Sequence, residues 1–194
     1  MSLESFTNYI SKVVNLSAEE MEVIVANTTE RKYLKGQYIL QAGDVNNKVA
    51  FILQGCVKTF YIDKDGNEHI VAFGIEDWWT GDLGSLMAQK PADYNSQCLE
   101  NSVVAIIPYK KVQELYDEIP MFERLFRIIT EKAFVASQRR IIESFSLTAK
   151  EKYLQFRTRY PKIDQRVPQY MIASYLGFTP EFLSKVRSQI IAEQ

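Results

Sequence analysis

"QYMIASYLGFTPEFLSKVRS", residues 169–188, contains two short helical patterns on either side of a glycine. Gly177 sits where a tight turn needs a permissive backbone. Thr179, Pro180 and Glu181 then give a helix start in order: a hydroxyl to cap it, a ring already set at helical φ, and a carboxylate at its positive end. Ala173 is small where two helices would cross closely. Ile172, Leu176, Phe178, Leu183 and Val186 are apolar where such a pair packs on itself and on a preceding helix. These positions agree on one arrangement, a helix-turn-helix.

In that arrangement the second helix, residues 179–191, enters the major groove of DNA and its outward face reads base edges. The face carries Thr179, Pro180, Glu181, Ser184, Lys185 and Ser188. Glu181 suits cytosine N4 as an acceptor, and Lys185 suits guanine O6 and N7 as a donor. Thr179 and Ser188 are placed for phosphates, joined by Arg187 if it points outward. The charge distribution agrees. Residues 146–194 hold eight Lys/Arg against four Asp/Glu, a net +4, while the whole chain is at -1. Arg157, Arg159, Lys162 and Arg166 would supply sequence-independent attraction to the polyanion.

Upstream of this unit, "SLTAKEKYLQFRTRYP" (146–161) reads as a further helix. Before it, "MFERLFRIITEKAFVASQRRIIESF" (121–145) runs about seven turns without Gly or Pro. Its apolar residues recur at three- and four-residue steps, so it needs a partner surface. That surface can be the strand-rich part of the chain, a second copy of the helix, or both on different faces. "YKKVQELYDEI" is a short helix ending before Pro120. From about Thr29 to Pro108 the texture is one of short strands broken at Gly36, Gly43 and Gly55, with Asp65-Gly66 where a hairpin turn belongs. Strands at this spacing predict a small antiparallel β-barrel or jelly roll. Two helices open the chain, the second with a Ser17/Glu20 capping box. The fold class is thus α+β.

The chain has 194 residues, 46% hydrophobic and 24% charged, which suits one domain or two small ones. Cys56 and Cys98 lie in strand-like runs without metal spacing and read as buried apolar residues in a reducing compartment. No stretch nears the roughly 18 apolar residues of a membrane span, and the N-terminus lacks a signal-peptide pattern, so a cytoplasmic location is expected. With His69 the single histidine, the chain cannot gather the ligands of a metalloenzyme on such a barrel. We expect no enzyme. His69 itself reads as a cross-strand surface residue after the hairpin.

The order barrel, long helix, helix-turn-helix resembles the Crp/Fnr family of bacterial transcription regulators over nearly the whole chain. "QAGDVNNKVAFILQGCVKTFYIDKDGNEHIVAFGIEDWW" (41–79) looks like the family's barrel core, with Gly43-Asp44, Phe51-Ile52, Gly55, Val57 and Asp65-Gly66 in step. The resemblance implies a cyclic-nucleotide-binding-like domain over residues 1–119, a dimerisation helix over 120–145 and a DNA-binding domain over 146–194. It implies double-stranded DNA and a second copy of the chain as partners, with RNA polymerase and a small-molecule effector beyond them. Only six residues follow Ser188, so a full wing after the recognition helix is not expected in this sequence.

"GDLGSLMAQKPADYNS" (81–96) falls where the family carries its phosphate-binding cassette, which starts Gly-Glu and ends in an Arg followed by small residues. Gly81 matches, and Asp82 replaces the glutamate as a ribose acceptor one methylene shorter. Counting back from "AIIP" puts Ala92 at the arginine position and Tyr94 at a small-residue position. No Arg occurs between Lys32 and Arg124. A buried phosphate would then keep only backbone N–H groups, with Lys90 as a substitute point charge. A cyclic nucleotide cofactor is therefore not expected. The candidate contacts for another small ligand are Gly81, Asp82, Leu83, Lys90, Ala92, Tyr94, Asn95 and Ser96. The alternative function is a ligand-sensing or protein-interaction module whose helix-turn-helix has lost DNA binding.

Overall fold

A computed structural model of the chain describes residues 3–193. Helices α1 (Glu4–Val13) and α2 (Ala18–Ala26) come first, α2 started by the Ser17/Glu20 capping box. Strands β1 (Thr29–Tyr33), β2 (Tyr38–Leu40), β3 (Lys48–Gln54), β4 (Val57–Ile62), β5 (Glu68–Gly74) and β6 (Trp79–Thr80) follow, then α3 (Leu83–Ala88), β7 (Asn95–Cys98) and β8 (Ser102–Pro108). The chain ends in α4 (Tyr109–Glu118), α5 (Pro120–Ser146), α6 (Ala149–Arg159), α7 (Pro161–Arg166), α8 (Gln169–Leu176) and α9 (Pro180–Ala192).

The strands form two four-stranded antiparallel sheets, ordered β1-β8-β3-β6 and β2-β7-β4-β5. Tyr33, Ala50, Ile52, Val104 and Ile106 from the first sheet pack with Ile39, Val57 and Cys98 from the second, so the sheets face each other across one core as in a jelly roll. On β3 the alternate residues Val49 and Phe51 point the other way, into a second core with Phe6 and Ile10 of α1, Leu115 of α4, and Phe122 and Leu125 of α5. Burial on both faces is why "VAFIL" reads as a continuous apolar run.

The β4–β5 connection is the expected hairpin. Gly66 adopts φ 84°, and the Asp63 carboxylate accepts from the N–H groups of Asp65 and Asn67 at 2.9 Å. His69 is on the surface as expected, 2.7 Å from Asp63 and stacked on Tyr61.

A third core joins the outer face of this hairpin (Phe60, Ile70, Phe73) to the C-terminal helices through Tyr153, Phe156, Ile163, Ile172, Leu183 and Val186. The helix-turn-helix unit is docked on the jelly roll through shared apolar burial. Two boundaries differ from expectation. Helix α6 begins only after Thr148, whose hydroxyl and Glu151 form a capping box, and Ser146 instead closes α5. Residues 83–88, without visible periodicity, coil into α3.

Helix α5 has two halves. Phe122 and Leu125 anchor its start on the jelly roll, whereas every side chain from Thr130 to Arg139 is exposed. Phe134 and Phe145 are 61% and 87% exposed, and Val135, Ile141 and Ile142 stand open with them. Among the described residues no helix is long and apolar enough to cross a membrane.

Candidate functional site

The helix-turn-helix is built as its residues dictate. Helix α8 ends at Gly177, which takes φ 75°, and the Phe178 N–H reaches back to the Ala173 carbonyl at 2.8 Å. The Thr179 hydroxyl then caps α9 by accepting from the Phe182 N–H at 3.2 Å, with Pro180 in the first turn. Leu183, Val186 and Ile190 are buried on one side of α9, each contributing about 1.5–3 kcal/mol of burial, which fixes its rotation. Thr179, Pro180, Glu181, Ser184, Lys185 and Ser188 consequently all lie exposed, while Arg187 is half-buried. The Glu181 carboxyl is lowered below its ordinary range by its own backbone N–H and the Thr179 hydroxyl, so it is an anionic acceptor.

Polar contacts tie the unit to the rest of the chain. Arg166 of α7 donates to both oxygens of Glu76, at 2.7 and 3.0 Å, and to Glu100. Arg140 of α5 donates to the Val71 carbonyl on β5 and to the Tyr175 carbonyl on α8 at 3.0 Å, its guanidinium lying over the Tyr175 ring at 4.1 Å. Ser174 of α8 pairs with β5 twice, accepting from the Ile70 N–H and donating to the Glu68 carbonyl, both at 3.0 Å. Glu76, Glu100 and Arg140 escaped sequence reasoning because their partners lie tens of residues away.

These contacts correct the expected basic surface. Arg166 faces the jelly roll, Arg159 is held by Glu143 at 2.6 Å, and Arg157 is held by Asp164 at 3.3 Å. Each guanidinium found a carboxylate from a neighbouring element as the helices packed. Among the described residues Lys162 and Lys185 make no ion pair.

In the loop 81–96 the polar groups are turned on one another. Gly81 adopts φ 136°, and buried Asp82 caps α3, its Oδ1 accepting from the Ser85 N–H at 3.0 Å. Its Oδ2 accepts from the Asp93 N–H at 3.1 Å. The expected ribose acceptor is thus engaged within the loop through both oxygens. Asn46, unmarked in the sequence, holds the Asp82 carbonyl at 2.9 Å and the Ser85 hydroxyl at 2.9 Å. Ala92 is buried, its N–H on the Asp44 carbonyl and its own carbonyl taken by the Gly43 N–H, both at 2.9 Å. The Asn95 side chain accepts from the Ala42 N–H at 3.0 Å, and fully buried Ser96 lies 3.4 Å from Thr59 and 3.5 Å from Thr80. Lys90 and Leu83 are exposed, and Tyr94 is half-buried. Asp82, Asn95 and Ser96 make the loop's interior side-chain contacts, whereas Lys90 joins only through its carbonyl, which accepts from the Ser85 hydroxyl at 2.6 Å.

Residues 30–118 match the model of the cyclic nucleotide-binding domain. Over nearly the full chain the sequence is similar to the transcriptional activator protein Anr of Pseudomonas aeruginosa, 25% identical over 185 aligned positions that cover 89% of this chain and 75% of that protein. It is similar also to the regulatory protein HlyX of Actinobacillus pleuropneumoniae, 27% identical over 173 positions, covering 82% of this chain and 71% of that one. Residues 30–118 thus form a cyclic nucleotide-binding-like domain, in a chain similar along most of its length to transcription regulators.

The fold is also that of the c-di-GMP responsive global regulator CLP of Xanthomonas campestris, with a TM-score of 0.75, 16% identity, and 91% of this chain and 93% of that one covered. The chain thus has a cyclic nucleotide-binding fold, and the curated proteins it is similar to are transcription regulators. The loop 81–96 lies within this matched domain. There Asp82 takes up the Asp93 N–H, and Ala92 is buried.

Proposed function

We propose that this protein is a Crp/Fnr-type transcription regulator, a homodimer that reads double-stranded DNA with α9, and that its jelly roll takes no cyclic nucleotide. The observation that carries the DNA reading is the split of α9 into a buried apolar side and an exposed side of Thr179, Glu181, Ser184, Lys185 and Ser188. A helix held so firmly on one side presents the other as a rigid reading surface. The apolar residues left open on the second half of α5 support pairing with a second copy. The division of labour is then jelly roll over 1–119, dimer helix over 120–145 and DNA-binding unit over 146–194, working in the cytoplasm with RNA polymerase as a further partner by family likeness.

The cassette argument is one of charge. A cyclic phosphate there would meet the Asp82 carboxylate where it needs the Asp93 N–H, and buried Ala92 where it needs a guanidinium. Burying that anion without a counter-charge is costly.

Electrophoretic shift with a random duplex pool tests the DNA reading. The expected result is selective, salt-sensitive binding. Absence of any shift at low salt would leave the interaction-module reading. Calorimetry with cyclic AMP should give no binding heat, and a micromolar isotherm would overturn the cassette argument.

A further inference from the structure

One residue on the exposed side of α9 does not fit hydrogen-bond readout. Phe182 is 46% exposed, although the helix buries Leu183, Val186 and Ile190. Its neighbours Glu181, Lys185 and Gln189 are polar and exposed, so the ring, with Pro180 and the edge of Phe178, forms a small apolar feature within a polar surface. A surface meant for a protein partner would offer a larger contiguous apolar patch.

The ring is also braced. Phe178, in the turn before α9, meets it edge to face with centroids 5.3 Å apart and planes at 84°. Phe178 in turn packs against the core shared with the jelly roll. Phe182 is therefore set in place before anything binds, and little ordering remains to oppose an apolar contact.

In the major groove the apolar group that distinguishes one base pair from another is the thymine C5-methyl. The first turns of a recognition helix are the part that reaches base edges. We infer that Phe182 is a specificity-determining residue that selects thymine through this methyl, next to the base pairs met by Glu181 and Lys185. The inference rests on the DNA reading proposed above and adds to it a contact that hydrogen bonding cannot supply.

The test uses the full chain and a duplex site selected from a random pool, in which each thymine is replaced in turn by uracil, removing only the methyl. One position per half-site should lose about fourfold in affinity, the worth of burying one methyl-sized group. Phe182→Ala should bind the thymine and uracil forms of that position equally, and Phe182→Leu should keep part of the preference. Low-salt binding to unselected DNA should be unchanged in both variants, which shows that they fold. The inference is overturned if no uracil position matters to the parent protein, or if Phe182→Ala still tells thymine from uracil there. Failure to select any site would remove the DNA reading itself, and this inference with it, and is distinct because the uracil series requires a bound site.

Discussion

Arg166 grips the Glu76 carboxylate through both terminal nitrogens, and the same carboxylate accepts the Gly55 N–H at 2.9 Å. One acidic residue after β5 thereby fastens both the β3–β4 turn and the helix-turn-helix unit. The pair is 24% and 34% exposed, between a solvated surface pair and a fully buried one. Removing Arg166 should therefore cost about 2 kcal/mol, more than the roughly 0–1 of surface pairs and less than the 3–5 of buried ones. Urea unfolding of Arg166→Ala should show that loss, and adding Glu76→Ala should cost less than the two single losses together. Strict additivity would mean that the pair is not coupled.

The same contact gives a pH dependence. Burial pushes the Glu76 carboxyl up, but the Arg166 guanidinium and the Gly55 N–H outweigh it and hold the group at about 2, against an ordinary 4.5. A depressed folded-state value stabilises the fold fully above 4.5, and the contribution disappears as pH falls toward 2. Arg166 stays charged throughout, so the loss belongs to the carboxylate. The urea midpoint of the parent protein should fall through this window more steeply than that of Arg166→Ala. Equal slopes would detach the acid sensitivity from this pair.

Gly55 and Gly177 both have positive φ, 117° and 75°, yet they should tolerate alanine very differently. At Gly177 a Cβ meets nothing within 4 Å, leaving only the left-handed backbone cost of about 1–2 kcal/mol. At Gly55 a Cβ would come 2.1 Å from Ser102 Oγ and 2.9 Å from its Cα, a backbone atom fixed in β8. Gly55→Ala should add overpacking of about 1–3 kcal/mol to the backbone cost. Thermal unfolding of the two variants compares them directly, and similar midpoints would contradict the steric argument.

The open side of α5 should be the dimer contact. Phe145 and Ile142 are 87% and 64% exposed, so replacing either with Asp leaves no cavity and breaks no intrachain packing. Sedimentation should show Ile142→Asp and Phe145→Asp shifted to monomer, with little change in unfolding midpoint at concentrations where the parent is also monomeric. A dimer that persists in both would place the interface elsewhere.

What the sequence disclosed and what it hid follow from range. The α9 start was legible because Thr179, Pro180 and Glu181 act within one turn of their own backbone. The jelly roll was legible because the glycine breaks between its short strands and the Asp65-Gly66 turn are local. The docking of the two parts was not, since Arg166 meets Glu76 across 90 residues and Arg140 meets Val71 across 69. The cassette was half legible. Ala92 showed what is missing, whereas the capture of Asp93 by Asp82 depended on α3, which has no periodicity to announce it.

Lys185 separates base reading from general attraction to DNA. It stands exposed on the outward side of α9, and Lys162 stands exposed on α7. If Lys185 meets a guanine edge, Lys185→Ala should weaken the selected site by about 1–3 kcal/mol and relax preference at one position. Lys162→Ala should instead weaken all sequences alike and reduce the salt slope by about one. Binding isotherms over a range of salt, on selected and unselected duplexes, measure both. A uniform loss for Lys185→Ala would move that residue from the bases to the phosphates and leave Glu181 and Phe182 as the α9 side chains facing base edges.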